Sequence, residues 1–143
     1  MKPTIGITMG DAAGIGPEII MKALGHQKMY NQCNPLVIGD AKILERVLPV
    51  IGSSLNVNAI QEPSEAKYEF GTVDVIDLDL VPADLEYGKV SAVAGDAAFQ
   101  FLAKAIDLAK KQQIHSICTA PLNKEALHQG GTCIRGTPRF WRT

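Results

Sequence analysis

Five short runs rich in Val, Ile and Leu dominate this chain: TIGITM at 4–9, PLVIGD at 35–40, LNVNAI at 55–60, TVDVIDLDL at 72–80 and IHSICTAP at 114–121. Runs of that length and β-branched content read as strands, those at 4–9, 35–40 and 114–121 as buried ones, most of them ended by Gly, Pro or Asp. Segments of helical period lie between them. One starts at Pro17, where proline suits the first helical position, and stops at Gly25. A second covers 41–52 and is broken late by Pro49. The longest runs from 90 to 113, where Val90, Ala94, Ala97, Ala98, Phe101, Ala105 and Leu108 form one apolar stripe. A last helix is expected after Pro121, stopping at Gly130 and Gly131. Strands alternating with helices require a layered α/β domain with a largely parallel sheet. In the 72–80 run acids are interspersed with aliphatics, and one face is expected to be buried and the other wet.

The 143 residues suffice for one ordinary domain, and 46% hydrophobic with 20% charged residues fits a globular protein. Net charge is −1, so no overall field favours nucleic acid or an anionic membrane. Cys33, Cys118 and Cys133 are scattered and lack metal-ligand spacing, which reads as thiols in a reducing compartment. The N-terminus carries neither a signal peptide nor a spanning helix, and a cytoplasmic location is expected.

Parallel α/β sheets bind ligands beyond the carboxyl ends of their strands. Two loops stand there. GDAAGIGPE, after the first strand, puts Asp11, Gly14, Gly16 and Glu18 between a strand and a helix N-terminus. Its spacing matches neither the dinucleotide fingerprint nor a P-loop. Asp11 orients a cofactor or caps a turn, and the residues alone leave both open. Glu18 reads as favourable charge in a first helical turn. TAPLNKEAL, after the last strand, presents Asn123 and Lys124. A lysine there holds a phosphate or carboxylate, or is simply solvated. His26, His115 and His128 lack partners at metal-ligand spacing and read as structural or surface residues.

Together these two loops resemble the 4-hydroxythreonine-4-phosphate dehydrogenase family, including its relatives acting on 4-phospho-threonate and phospho-erythronate. The resemblance is carried by KPTIGITMGDAAGIGPEIIMKAL, LVIGD, GKVSAVAGDAAFQFLAKAIDLAKK and TAPLNKEALHQGG. It runs from Lys2 to Gly131, with one departure: Ala12 stands where the family usually has proline. It implies a two-lobed fold similar to isocitrate and isopropylmalate dehydrogenases, incomplete in this chain. It implies an NAD-dependent oxidation of a phosphorylated hydroxy acid, with decarboxylation, aided by a divalent metal (Zn, Mg or Co). It further implies a homodimer, with Asp11, Gly14 and Gly16 near the cofactor and Asn123 and Lys124 on the substrate. The family's substrate-binding His-Thr pair and its three metal-binding histidines lie beyond the matched stretch, so no metal ligand is assigned here and the chain is expected to be inactive alone. A sheet edge and apolar helix faces are expected to be left uncovered.

The last twelve residues, TCIRGTPRFWRT, hold three of the four arginines and the single tryptophan; without them the chain has 11 basic against 15 acidic residues. One reading is a basic, aromatic arm of a small interaction protein. The other follows from the resemblance. Permitted codons for these residues, read one frame over from the last base of the preceding glycine codon, spell HLYPGHTEILAD, the family's usual continuation. Residues 1–131 are therefore expected to be the native N-terminal part of a dehydrogenase, and 132–143 an out-of-frame tail that holds no functional residue.

Overall fold

In the computed structural model, residues 2–82, 84–85 and 92–120 are described. Strand β1 (Thr4–Thr8) leads into α1 (Gly16–Leu24) and a one-and-a-half-turn α2 (Gln27–Gln32) that the sequence reading did not anticipate. β2 (Asn34–Gly39), α3 (Ala41–Val47), β3 (Asn56–Ile60), a 3-10 turn (Pro63–Glu65), β4 (Thr72–Asp77), α4 (Ala92–Lys110) and β5 (Ser116–Thr119) follow. The five strands form one parallel sheet in the order β3-β4-β2-β1-β5. The α/β expectation holds, and the sheet is parallel throughout.

The helices divide between the two faces. Successive residues of a strand point to opposite sides. Ile7 of β1 faces Ile20 and Leu24 of α1, while a side chain at Gly6 would meet Ile114, just past α4. α1 and α3 thus cover one face, packed on each other, and α4 covers β1, β2 and β5 on the other. The alanine stripe of α4 is buried as expected, with Ala94, Ala97, Ala98, Phe101, Ala105 and Leu108 against the sheet. Small side chains let this helix lie close to the strands it crosses. Val90 lies outside the described residues, as does the helix expected after Pro121.

Two expectations are corrected. β4 has no wet face: Asp74 is 1% exposed. The link from β3 to β4 brings backbone donors to it. Asp74 Oδ1 accepts from Asn58 Nδ2 at 2.8 Å and from Lys67 N at 3.1 Å, and Oδ2 accepts from Tyr68 N at 2.8 Å. Tyr68 holds a positive φ of 52°, a conformation that two adjacent bonds to one carboxylate help to fix. Beneath it, Tyr30 donates its hydroxyl to Thr72 O, and burial, with Asp74 nearby, pushes that phenol up to about 12. The second correction concerns β5. It pairs with β1 alone among the described strands, and Ser116 and Cys118 are exposed, so it is an edge strand rather than a buried one.

Candidate functional site

The strand order reverses direction at β1. From β1 the chain moves one way to β2 and onward, and it returns by α4 to place β5 on the other side. The carboxyl ends of β1 and β5 are thus the switch point, where open α/β sheets form their crevice. The two loops singled out in the sequence start at these two ends.

The first loop is tightly built. Met9 N donates to Ile38 O at 3.0 Å and extends the ladder past β1. Gly10 then takes a φ of 72°, open to glycine at little cost. Asp11 folds the chain back: its Oδ1 accepts from Ala13 N at 2.9 Å, and its carbonyl accepts from Gly14 N at 3.0 Å. Asp11 is 8% exposed, and burial raises its carboxyl above the usual 3.8, opposed by the bond from Ala13. Ala12, at the position of the family's proline, is fully buried in this turn. The loop enters α1 at Ile15, with no side chain capping the helix and Pro17 in its first turn. Pro17 has no N–H and Ile19 N already donates to Ile15 O, so the first turn offers a ligand at most the Gly16 and Glu18 N–H groups.

Two of the loop's three glycines, Gly14 and Gly16, differ in kind. A Cβ on Gly16 would stand 2.6 Å from Met9 O and 3.3 Å from Ala120 Cβ. One on Gly14 would come no closer than 3.5 Å to anything, its nearest neighbours being atoms of Asp11. Gly16 is needed for packing, whereas half-buried Gly14 would take a methyl at ordinary contact distance.

The second loop starts against the first. Ala120 N donates to Thr8 O at 3.1 Å, so β5 delivers the chain beside the start of α1. Asp11, Gly14 and Gly16 are thereby gathered into one turn next to Ala120. Asn123 and Lys124 follow Ala120 within four residues and lie outside the described residues. Glu18 is half-buried in the first turn of α1, as its charge alone predicts. His115 belongs to the amino end of the sheet, far along β1 from this crevice. Its Nδ1 accepts from Thr4 N at 2.8 Å, which makes it structural. His26 stands exposed before α2, and His128 lies outside the described residues.

Two polar residues at the same edge were not singled out in the sequence. Thr8, 1% exposed at the end of β1, has a hydroxyl with no hydrogen-bond partner among the described residues. Asp40 ends β2. Its Oδ2 accepts from Leu80 N at 3.0 Å and Val81 N at 3.1 Å, and Lys42 bridges it to Asp79. Asp40 thus ties the chain after β4 to the carboxyl edge. An acid directly after a strand and a glycine is the signal that could have marked it. Among the described residues no group of three His, Cys, Asp or Glu side chains could hold a metal ion. No described helix is long and apolar enough to cross a membrane.

Asp11 makes a test of this geometry. Its raised carboxyl means the folded chain holds the proton more tightly than the unfolded chain. Stability is therefore full below pH 3.8 and falls as pH rises through the folded value. Asp11→Asn keeps the oxygen that accepts from Ala13 and removes the buried charge. We expect it to be the more stable protein at pH 7, with the advantage vanishing near pH 3. Urea melts of both proteins across that range check it, and an Asn variant that is less stable at pH 7 would contradict the burial argument.

Residues 31–143 match the family described as pyridoxal phosphate biosynthetic protein PdxA. The chain is 57% identical over 129 residues to the D-threonate 4-phosphate dehydrogenase of Cupriavidus necator, covering 90% of this chain and 39% of that protein. The crystal structure of a 4-hydroxythreonine-4-phosphate dehydrogenase from Burkholderia phymatum superposes with a TM-score of 0.94 at 55% identity, covering 95% of this chain and 41% of that one. A terephthalate 1,2-cis-dihydrodiol dehydrogenase from Burkholderia xenovorans gives a TM-score of 0.75 at 25% identity, covering 96% of this chain and 40% of that one. The chain thus spans about two fifths of the length of these relatives.

Proposed function

The chain belongs to the PdxA family of pyridoxal phosphate biosynthetic proteins, and on that premise we propose that residues 1–131 are the N-terminal part of an NAD-dependent dehydrogenase acting on a phosphorylated hydroxy acid. The observation that supports this is the position of Ala120, which ends β5 at the switch point beside the turn that holds the buried Asp11, Gly14 and Gly16; Asn123 and Lys124 follow it in sequence. NAD, when bound, accepts the hydride from the substrate's secondary alcohol. In this reading Asp11 orients the cofactor by accepting hydrogen bonds, and Gly14 lets it reach the backbone. Gly16 holds the helix start in place, and the Gly16 and Glu18 N–H groups face the ligand. Lys124 supplies positive charge to the substrate's phosphate or carboxylate, and Asn123 hydrogen-bonds beside it. The divalent metal of the family's chemistry finds no donor set among the described residues, so its ligands belong to the part of the family fold beyond this stretch. The completed enzyme is a homodimer in this account, and pyridoxal phosphate synthesis or sugar-acid breakdown is its setting.

Two measurements test this reading. The 143-residue chain, given NAD, Zn, Mg or Co ions, and either D-threonate 4-phosphate or 4-phosphohydroxy-threonine, is expected to form no NADH. Metal-dependent turnover by this chain would overturn the assignment of its missing parts. Residues 132–143 are, in the same account, translated out of frame. Their coding DNA is expected to spell a GHTE-containing peptide one frame over, and codons that do not would end that idea. The competing reading, a basic-aromatic arm, requires that deleting 132–143 abolish binding to a partner.

A further inference from the structure

Two buried oxygens at the carboxyl edge share one face of the sheet. Thr8 ends β1 and Asp40 directly follows β2; they are 1% and 0% exposed. Neither Thr8 Oγ1 nor Asp40 Oδ1 has a hydrogen-bond partner among the described residues. Alternation along the strands puts both on the α4 side. A side chain at Gly6 would meet Ile114 and, at 3.1 Å, Ile38 Cδ1, so Gly6 and Ile38 point that way. Thr8 is two residues on from Gly6. Asp40, still extended at φ −126° and ψ 114°, is two on from Ile38. Thr8 pairs with Ile38 in register. Asp40 is therefore diagonal to Thr8 across neighbouring strands, with Cα atoms about 8 Å apart from the strand spacing and rise. Over this face α4 crosses β1 and β2, and its buried Ala94, Ala97 and Ala98 carry only methyl side chains.

We propose that Thr8 Oγ1 and Asp40 Oδ1 hold one internal water molecule between them. A carboxylate oxygen only accepts and a hydroxyl both donates and accepts, so a single water can satisfy both. The diagonal, less the reach of the two side chains, leaves about 5 Å, the span of one water with two bonds of ~2.8 Å. The burial of both residues admits water and excludes a larger ligand. Lys42 already balances the Asp40 carboxylate, which favours neutral water over a cation. The bridge has a structural consequence. Asp40 Oδ2 accepts from Leu80 N and Val81 N. Through the water, the end of β1, where the Asp11 turn begins, is linked to the chain after β4. Thr8 is thus a positioning residue for both segments, and this holds independently of the chemistry proposed above.

The sign of one substitution tests this in the 143-residue chain. Thr8→Val keeps the branched shape and removes the hydroxyl. Removing an unpaired buried hydroxyl raises stability, whereas removing a water-bonded one strands the water and Asp40 Oδ1. Thr8→Val is expected to lower the melting temperature by roughly 3–6 °C. It is also expected to speed amide exchange at Leu80 and Val81 on the order of 10-fold relative to Leu36 and Val37 of β2, because Asp40 loses its hold on the first pair. Thr8→Ser retains the hydroxyl and is expected to leave that exchange ratio unchanged. A crystal structure of the chain is expected to show one ordered water within hydrogen-bond reach of both oxygens. A Thr8→Val chain that melts at or above the wild-type temperature overturns the proposal. So does an unchanged exchange ratio in Thr8→Val, or a raised one in Thr8→Ser. A crystal structure in which the two oxygens bond directly, hold a cation or have nothing between them overturns it as well. Should Thr8→Val fail to fold, the Thr8→Ser ratio and the water density decide.

Discussion

Replacing Asp74 by alanine is expected to cost about 2–4 kcal/mol of stability, because it strands three donors at once. Asn58 Nδ2, Lys67 N and Tyr68 N all donate to this one carboxylate, which is itself buried. The site is buried, and an Ala side chain returns no packing for the lost atoms. Asp74→Asn separates the contributions. Its Oδ1 still accepts from Asn58 and Lys67, but its amide faces the Tyr68 N–H, donor against donor. The Asn variant should therefore fall between the wild type and the Ala variant, at about 1–2 kcal/mol. Chemical denaturation measures both costs. Amide exchange localises them: the β3–β4 edge and the 61–71 link should lose protection first, while β1 and β2 keep theirs. Equal stability of wild type and Asp74→Ala would mean the link is held by something other than this carboxylate.

Gly16→Ala is the second large effect, and Gly14→Ala is its control. In most helices alanine for glycine gains about 0.5–1 kcal/mol from reduced backbone freedom in the unfolded chain. At Gly16 that gain is outweighed. The added methyl would lie 2.6 Å from Met9 O, a backbone atom held in place by the Met9 N bond to Ile38. Moving that carbonyl means moving the end of β1, or pushing α1 away from Ala120. Overpacking of this kind costs about 1–3 kcal/mol, so the variant should be net destabilised by roughly 1–2 kcal/mol. At Gly14 the methyl meets only ordinary contacts of 3.5 Å and beyond, so Gly14→Ala should be neutral or slightly stabilising in this chain. In an enzyme carrying this loop, the order of harm to cofactor binding should run the other way for Gly14. In the proposed reading a methyl there stands between the backbone and the cofactor, and the apparent affinity for NAD should drop while stability does not. Paired melts and cofactor titrations of the two variants check it. Equal destabilisation by both would remove the distinction between a packing glycine and a ligand-facing one.

The elements that were legible in the sequence are those whose surroundings are local. TIGIT and PLVIG are short runs rich in β-branched or aliphatic residues, and both are interior strands of the sheet. The alanine stripe of α4 keeps helical period over five turns, and it is the buried face. Asp11 and the loop glycines were found because a strand, a small-residue turn and a helix start follow one another directly. What was not legible depends on residues distant along the chain. The acids of 72–80 alternate as a half-wet strand should, yet Asp74 is buried because the β3–β4 link folds across it and offers two backbone N–H groups. SICT looks as apolar as an interior strand, but its position at the edge follows from strand order, which no local pattern encodes. Thr8 shows the same limit in reverse. A threonine ending a strand is unremarked in sequence, and only the sheet reveals that its hydroxyl is buried without a partner beside the crevice.

In the proposed function, residues 1–131 serve as the N-terminal part of a phosphorylated hydroxy-acid dehydrogenase. The most direct measurement is NADH formation by the fusion of residues 1–131 to the remainder of the Cupriavidus necator D-threonate 4-phosphate dehydrogenase, with D-threonate 4-phosphate as substrate and a divalent metal present. The account predicts a metal-dependent enzyme, and Lys124→Ala should raise its KM roughly 10- to 100-fold, the value of a charged hydrogen bond to phosphate. A fusion that folds cooperatively but forms no NADH, or one that Lys124→Ala leaves unchanged, would contradict it.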